Sequence, residues 1–159
     1  MTDRGPKEPD ATDATERELL SFRVGDQEYC VDIMSVREIR GWTRPTPVPR
    51  SEPWVRGVIN LRGTVLPIVD LANRLVIPVE EASERNVIIV VRIRLQTIGL
   101  LVDAVSDILA IPETELRPPP EVASTASETF IKALTIVDDR MLRILDLESV
   151  LPDSNKDAA

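Results

Sequence analysis

The side chains with the strongest chemistry in this 159-residue chain are few. The sequence contains no histidine and one cysteine, Cys30, so the side chain that most often moves protons in enzymes is missing. Cys30 lies in "EYCVDI", among strand-forming residues. We expect it to be a buried, inert thiol, because no histidine is available to activate a nucleophile.

Two pairs of neighbouring carboxylates are the remaining candidates for metal binding or acid-base chemistry. These are Asp103 with Asp107 and Asp138 with Asp139. Neither pair is accompanied by further ligand residues, so we interpret both as solvated loop or capping residues. The sequence also lacks a phosphate-cradling glycine loop and a Gly-x-Ser-x-Gly nucleophile motif. We therefore predict a protein without catalytic activity, metal or cofactor.

One arginine stands in an unusual place. The stretch "GVINLRGTVLPIVDL", residues 57–71, is almost entirely apolar and strand-forming, yet Arg62 lies where a tight turn is expected. Gly63 follows it and can adopt the positive φ of a two-residue hairpin turn. Arg62 is either an ordinary solvated tip residue or a recognition residue.

Composition narrows the class of partner. The net charge is −8 and the chain has five aromatic residues, a poor basis for phosphate neutralisation or base stacking, so we expect no nucleic-acid partner. No apolar run approaches the roughly 20 residues of a spanning helix, so we expect no membrane insertion. We predict a cytoplasmic protein whose partner is a protein or a small molecule.

Short apolar runs separated by turn signals predict an all-β fold. Residues 1–17 and 152–159 are polar, so we expect disordered tails around one domain of residues 18–151. Two short segments look helical, and we interpret Asp70 and Asp146 as their N-caps. The predicted strands are LLSFRV, EYCVDI, GVINL, TVLPIVD, NVIIVVRI, TIGLLVD, SDILAI, FIKALTIV and RMLRILD, and the helical segments are LANRL and LESVL.

The sequence carries an internal repeat. Residues 54–75 align without a gap on residues 130–151, with five identical positions, and "VDIMSVREI" resembles "VDAVSDIL". Pro-rich loops at 44–53 and 117–128 take the same place in the two copies. We interpret the chain as two similar β modules, with a single irregular sandwich as the alternative.

The repeat allows each candidate residue to be compared with its counterpart. Where the first copy has Arg62 and Gly63, the second has Asp138 and Asp139, so the turn itself does not require arginine. Glu38 corresponds to another acid, which serves the fold on the simplest interpretation. Glu38 is a candidate partner for Arg62, and because an exposed ion pair adds little stability, its value would lie in recognition.

Four stretches resemble the CheW family, the coupling proteins of bacterial chemotaxis. They are "FRVGDQEYCVDIMSVREIRGW", "GVINLRGTVLPIVDL", "GLLVDAVSDIL" and "LRPPPE", and the resemblance extends from Leu19 to Leu151. It implies two interlocked five-stranded SH3-like β-barrels with short helical turns. It also implies an adaptor between the regulatory domain of the histidine kinase CheA and the cytoplasmic hairpin tips of methyl-accepting chemoreceptors, recruited to membrane-associated receptor arrays. Ala133 departs from a frequent family glycine.

The resemblance also implies a binding surface. We expect Val36, Val87 and Ile88 beside Gly57 to form a shallow apolar receptor surface at the junction of the barrels. Gly57→Asp would then block the receptor and leave kinase binding intact. Glu38 and Arg62 would lie near each other at the edge of the first barrel. The residues predicted to bind receptor or kinase are Val36, Glu38, Ile39, Gly57, Asn60, Arg62, Gly63, Val87 and Ile88.

Two other functions remain open at this point. A free-standing SH3-like peptide-binding module would need an aromatic-lined groove, which Trp42 and Trp54 hardly supply. A CheA regulatory domain cut from its kinase would show kinase sequence before Leu19, where we find Met1 and a short polar segment.

Overall fold

The computed structural model describes residues 16–79, 84–119 and 130–151, which form ten strands and two short α-helices. Residues 1–15 of the tail predicted at 1–17, and the whole tail predicted at 152–159, lie outside these ranges. The strands are β1 (Glu16–Val24), β2 (Gln27–Asp32), β3 (Val36–Gly41), β4 (Val55–Leu61), β5 (Thr64–Asp70), β6 (Val87–Ile93), β7 (Gln96–Val102), β8 (Ala104–Pro112), β9 (Ile131–Val137) and β10 (Arg140–Leu145), and the helices are α1 (Leu71–Leu75) and α2 (Leu147–Val150).

The strands form two five-stranded sheets. Sheet 1 has the order β8-β1-β2-β10-β9 and sheet 2 the order β3-β6-β7-β5-β4. Most neighbours are antiparallel, but β10 pairs with β2 and β5 with β7 in parallel. The predicted all-β fold with two five-stranded units is confirmed.

Strand pairing shows the internal repeat directly. The amide of Asp70 donates to the carbonyl of Trp54 at 2.7 Å, and Asp146 donates to Phe130 at the same distance, each partner 76 residues further on. The strands of the two copies are interlocked, because β1 and β2 from the first copy share sheet 1 with β8, β9 and β10 from the second. A single irregular sandwich is therefore excluded.

The central strand β6 is almost entirely apolar because both of its faces are buried. Alternate residues of β6 lie in different clusters, Ile88 and Val90 inside sheet 2 and Ile89 and Val91 in a core shared with sheet 1. Sheet 1 has its own cluster of Leu19, Cys30, Ile111, Leu142 and Ile144, and the shared core includes Phe22, Tyr29, Leu100 and Leu145.

Strand β3 was missed by the pattern of apolar runs. It is an edge strand in which half-buried and exposed residues alternate, so only Val36 and Ile39 among its side chains are apolar. Strand β1 begins at Glu16, which pairs with Pro112, and Arg17 pairs with Ile111. The first two strand residues therefore lie inside the segment predicted as a tail.

The two helices begin where the sequence predicted. The Asp70 carboxylate accepts a hydrogen bond from the amide of Asn73 at 3.2 Å, and the Asp146 carboxylate accepts one from Glu148 at 3.2 Å. Both aspartates are N-caps, which satisfy donors that the first helical turn leaves free.

Arg74 of α1 ties the two copies together. Its guanidinium lies 3.8 Å from the ring centre of Trp54 and 4.8 Å from that of Phe130, two aromatic residues at matching repeat positions. It also donates to the carbonyl of Ser149 in α2 at 3.0 Å. The cation thus holds equivalent elements of both copies in fixed orientation.

Candidate functional site

Glu38 and Arg62 meet at the edge of sheet 2. Arg62 Nη2 lies 3.0 Å from Glu38 Oε1, and Arg40 Nη1 lies 3.4 Å from Glu38 Oε2. The Arg62 side chain is 70% exposed, whereas that of Glu38 is 28% exposed. The predicted pairing of Glu38 with Arg62 is therefore confirmed, and most of the arginine remains accessible to a partner.

The turn that presents Arg62 is sharply constrained. Arg62 and Gly63 have φ values of 51° and 84°, the left-handed pair of a two-residue hairpin turn. The side chain of Asn60 accepts a hydrogen bond from the amide of Gly63 at 2.9 Å and so fixes the turn. Asn60 and Gly63 thus hold the tip that carries Arg62.

The second copy makes the same turn without arginine. Asp138 and Asp139 have φ values of 53° and 65°. Since two aspartates support this backbone, Arg62 is not needed to form the hairpin. The prediction that Arg62–Gly63 and Asp138–Asp139 both suit a two-residue turn is confirmed. The first residue of each turn also has positive φ.

The ion pair changes the acidity of Glu38. The hydrogen bond from Arg62, followed by its charge and the contacts of Arg40, lowers the pKa of Glu38 below its usual value, against a smaller opposing effect of desolvation. Glu38 is therefore held ionised, ready to orient the Arg62 guanidinium.

A cavity of about 490 Å³ opens beside this pair, at the end of sheet 2. Its buried floor is apolar, formed by Leu66 and Val90. Arginines, threonines and Glu38 surround the opening. The cavity is lined by Arg37, Glu38, Leu61, Arg62, Thr64, Leu66, Val90, Arg92 and Thr97.

Two of the predicted binding residues are structural. Ile88 is fully buried in the sheet 2 cluster, so it cannot form part of a contact surface, because its side chain points to the inner face of the sheet. At Gly57, with φ of 143°, an added Cβ would overlap the carbonyl oxygen of Thr46. The close approach that requires glycine is therefore to the chain's own backbone.

The other two apolar residues predicted at the receptor surface, Val36 and Val87, lie at opposite ends of the paired strands β3 and β6. Val36 pairs with Val91 at one end of the strand, and Val87 pairs with Gly41 at the other end. Both valines are half-buried and pack against the shared core. Ile39, between them, is 48% exposed. The structure brings Glu38, Asn60, Arg62 and Gly63 together, but not Val36 with Val87.

Two arginines at the sheet 2 cavity, Arg37 and Arg92, were not among the predicted binding residues. Arg37 lies at an irregularity of β3, since Val36 pairs with Val91 and Glu38 with Val90. The sequence of β3 has no periodic pattern that would predict such a bulge. Arg92, in contrast, follows Ile88 and Val90 at alternate positions of β6, a spacing that places all three on one face.

A second surface lies on sheet 1. A cavity of about 610 Å³ is flanked by the paired residues Ile136 and Met141, which are 66% and 45% exposed. The Thr135 hydroxyl beside them is buried without a hydrogen-bond partner among the described residues. At the corresponding positions of the first copy stand Asn60 and Val65, so the two hairpins offer chemically different faces.

Three of the four aspartates considered for chemistry have structural positions. Asp103 accepts a hydrogen bond from the amide of Gly25 at 2.9 Å, and the Asp138 and Asp139 pair forms the turn described above. Burial, with a smaller contribution from Glu28, raises the pKa of the Cys30 thiol to about 12. Within residues 16–79, 84–119 and 130–151, no three potential metal ligands cluster.

These features define a β-protein of two five-stranded sheets that share a hydrophobic core. The helices in the described ranges have five and four residues, and none could cross a membrane. Sheet 2 presents an exposed arginine oriented by Glu38, and sheet 1 presents a cavity flanked by the exposed apolar side chains of Ile136 and Met141.

Comparison with known proteins gives the family. The sequence model of the CheW-like domain family matches residues 18–155 of this chain. The chemotaxis protein CheW of Rhizobium meliloti (strain 1021) is 50% identical over 143 residues, 90% of this chain and 92% of that protein. The chemotaxis protein CheW of Klebsiella aerogenes is 36% identical over 135 residues, 85% of this chain and 81% of that protein.

A solved structure agrees with this assignment. The scaffolding protein TtCheW from Thermoanaerobacter tengcongensis superposes with a TM-score of 0.76 and 32% sequence identity, covering 81% of this chain and 88% of that one. The chain belongs to the CheW family of chemotaxis proteins.

Proposed function

We propose that this chain is a non-enzymatic adaptor that couples the regulatory domain of the kinase CheA to the cytoplasmic tips of chemoreceptors. Membership of a family whose relatives are named as chemotaxis proteins, one of them a scaffolding protein, supports this role. Recruitment to membrane-associated receptor arrays follows from the same proposal.

The observation that carries the proposal is the exposed Arg62 held by Glu38. The matching turn of Asp138 and Asp139 shows that folding does not demand the arginine. Arginine can hold a partner carboxylate through two parallel hydrogen bonds while its stem covers apolar surface. A residue that is oriented, accessible and unnecessary for the turn is suited to binding.

An adaptor needs more than one contact surface, and the two copies provide them. The β4–β5 hairpin presents Asn60 and Arg62, whereas the β9–β10 hairpin presents Ile136 and Met141. Because these faces differ in chemistry, they suit different partner surfaces. The fixed arrangement of the two sheets would set the geometry between the bound partners.

Co-sedimentation tests the proposal. The purified chain is mixed with the kinase regulatory domain and with a receptor cytoplasmic fragment, separately and together. We expect binding to each and a ternary complex when all three are present. Binding to neither partner would overturn the adaptor function.

The chain offers a matched control for Arg62. Arg94 also lies at a hairpin tip with positive φ, is 75% exposed and makes an ion pair of 3.0 Å, in its case with Glu148. We expect Arg62→Ala to reduce binding and Arg94→Ala to leave it unchanged. Equal losses from both would show a general effect of surface charge.

A further inference from the structure

The sheet 2 cavity is rimmed by three arginines, Arg37, Arg62 and Arg92, with Glu38 as the one acidic lining residue. Arg62 is paired with Glu38, but Arg37 and Arg92 have no carboxylate within ion-pair distance among the described residues. Arg37 reaches the carbonyl of Met34 at 3.4 Å, and Arg92 that of Arg94 at 3.1 Å. The rim therefore keeps an excess of positive charge.

Arg37 and Arg92 reach the sheet 2 cavity from their strands in two different ways. Neighbouring strand residues normally point to opposite faces, yet Arg37 and Glu38 line the same cavity. The bulge between Val36 and Glu38 makes this possible, because an extra residue re-aims the strand's side chains. Arg92 reaches the cavity through ordinary alternation, after the buried Ile88 and Val90.

The matching positions of sheet 1 carry a different charge pattern. The pair Arg92 and Thr97 in β6–β7 corresponds by register to Arg23 and Glu28 in β1–β2, and Asp138 stands in place of Arg62. Glu28 forms an ion pair with Arg140, whose Nη1 lies 2.9 Å from Glu28 Oε2. At these described positions, sheet 1 therefore places acidic residues beside its arginines and does not repeat the three-arginine rim of sheet 2.

We propose that Arg37, Arg62 and Arg92 form a charge-selective dock for an acidic protein segment, whose carboxylates contact the rim while apolar groups cover Leu66 and Val90. This deepens the proposed function by naming the chemistry of the partner. Arg37 and Arg92 act as specificity residues, because their guanidinium groups have no carboxylate partner among the described residues at the rim and attract the carboxylates of a partner.

Carboxylates fit the rim better than a compact phosphate does. The three arginines line a cavity of about 490 Å³ together with Glu38, whose carboxylate lies 3.0 Å from Arg62 Nη2. Glu38 repels a doubly charged anion at the centre, whereas separate carboxylates can each reach an arginine beyond it. The occupant is therefore a protein segment with several acidic side chains.

An amide chemical-shift titration of the ¹⁵N-labelled chain with a short glutamate-rich peptide tests the dock without kinase or receptor. We expect saturable shifts around Arg37, Leu61 and Thr97 that are absent with the glutamine version of the peptide. Arg37→Gln with Arg92→Gln should weaken the peptide affinity by roughly tenfold at low salt. Arg23→Gln, at the position in sheet 1 matching Arg92, should leave it unchanged.

Three results would overturn the dock. They are shifts spread evenly over the surface, equal effects of Arg23→Gln and the double variant, and saturation of the same residues by inorganic phosphate at the peptide's concentration. The adaptor function is judged separately, from co-sedimentation of the wild-type chain. If peptide binds at the rim but neither kinase nor receptor does, the dock stands and the adaptor function fails.

Discussion

A Cβ atom at Gly57 would overlap the carbonyl oxygen of Thr46 and lie 2.6 Å from its carbonyl carbon. The two backbones are joined here by the bridge between Thr46 and Val58, with hydrogen bonds of 2.8 and 2.9 Å. Gly57 therefore lies where backbone hydrogen bonds join the Pro-rich loop of residues 44–53 to β4.

Substitution of Gly57 should damage the fold rather than block a partner. Gly57→Ala combines backbone strain of about 1–3 kcal/mol with overpacking of about 1–3 kcal/mol. Thermal unfolding measures the loss. Gly41→Ala is the matched control, because a Cβ there meets nothing within 4 Å. A Gly57 variant as stable as the wild type would show that the loop moves aside freely.

Arg62→Ala should separate binding from stability. The side chain is 70% exposed, so we expect a melting temperature within a few degrees of wild type and partner binding weaker by about 1–3 kcal/mol. Arg62→Lys should recover only part of the affinity, since lysine lacks the planar fork. Full recovery by lysine, measured by titration calorimetry, would reduce the role of Arg62 to charge alone.

The pKa of Glu38 reports the state of the ion pair. Because the folded-state pKa is lowered, the stabilisation is complete above the unfolded-state value and disappears as pH falls through the folded value. A carboxyl ¹³C titration should give a midpoint below the ordinary glutamate value. In Arg62→Ala the midpoint should rise, since the largest cause of the shift is removed; an unchanged midpoint contradicts the assignment.

Arg74→Met should loosen the junction between the two copies. Methionine keeps an apolar chain but loses the contacts to Trp54 and Phe130 and the hydrogen bond to Ser149. We expect a loss of about 2–3 kcal/mol in denaturant unfolding, from cation–π and charged hydrogen-bond contributions. Arg94→Gln removes an exposed pair instead and should cost about 0–1 kcal/mol.

The sheet 1 cavity flanked by Ile136 and Met141 can be tested by substituting the residues found at the matching positions of the first copy. Ile136→Asn with Met141→Val gives the β9–β10 hairpin the residues of the β4–β5 hairpin, which already folds with them. We expect unchanged stability and a loss of binding to one of the two partners. Retention of both kinase and receptor binding in pull-downs would show that this cavity is not a contact surface.

The fold was predictable where burial is complete. Strands such as β6 read as continuous apolar runs because one face packs inside sheet 2 and the other against sheet 1. The edge strand β3, VREIRG, has three charged residues and two apolar ones, and it lacks such a run. Comparison of the two copies identified Arg62 as dispensable for its turn, a conclusion drawn from sequence alone.

The rest of the site depends on which chain segments approach each other. Nothing local in the sequence shows that Gly57 lies against the carbonyl of Thr46 in the chain's own Pro-rich loop. Ile88 was misplaced because an apolar strand with two buried faces does not show which residues are exposed. Arg37 joins the sheet 2 cavity only through a bulge that sequence periodicity does not reveal.

The interlocking of the sheets also sets an order of events during synthesis. Sheet 2 is built from one continuous stretch, residues 36–102, whereas sheet 1 needs β8, β9 and β10 beside β1 and β2. The ribosome must add residues 103–145 before sheet 1 can close, a few seconds at about 5–20 residues per second. Strands β1 and β2 leave the ribosome first but are the last to gain their neighbours in sheet 1. A chaperone would therefore protect this chain while the nascent β1–β2 hairpin still lacks β8 and β10.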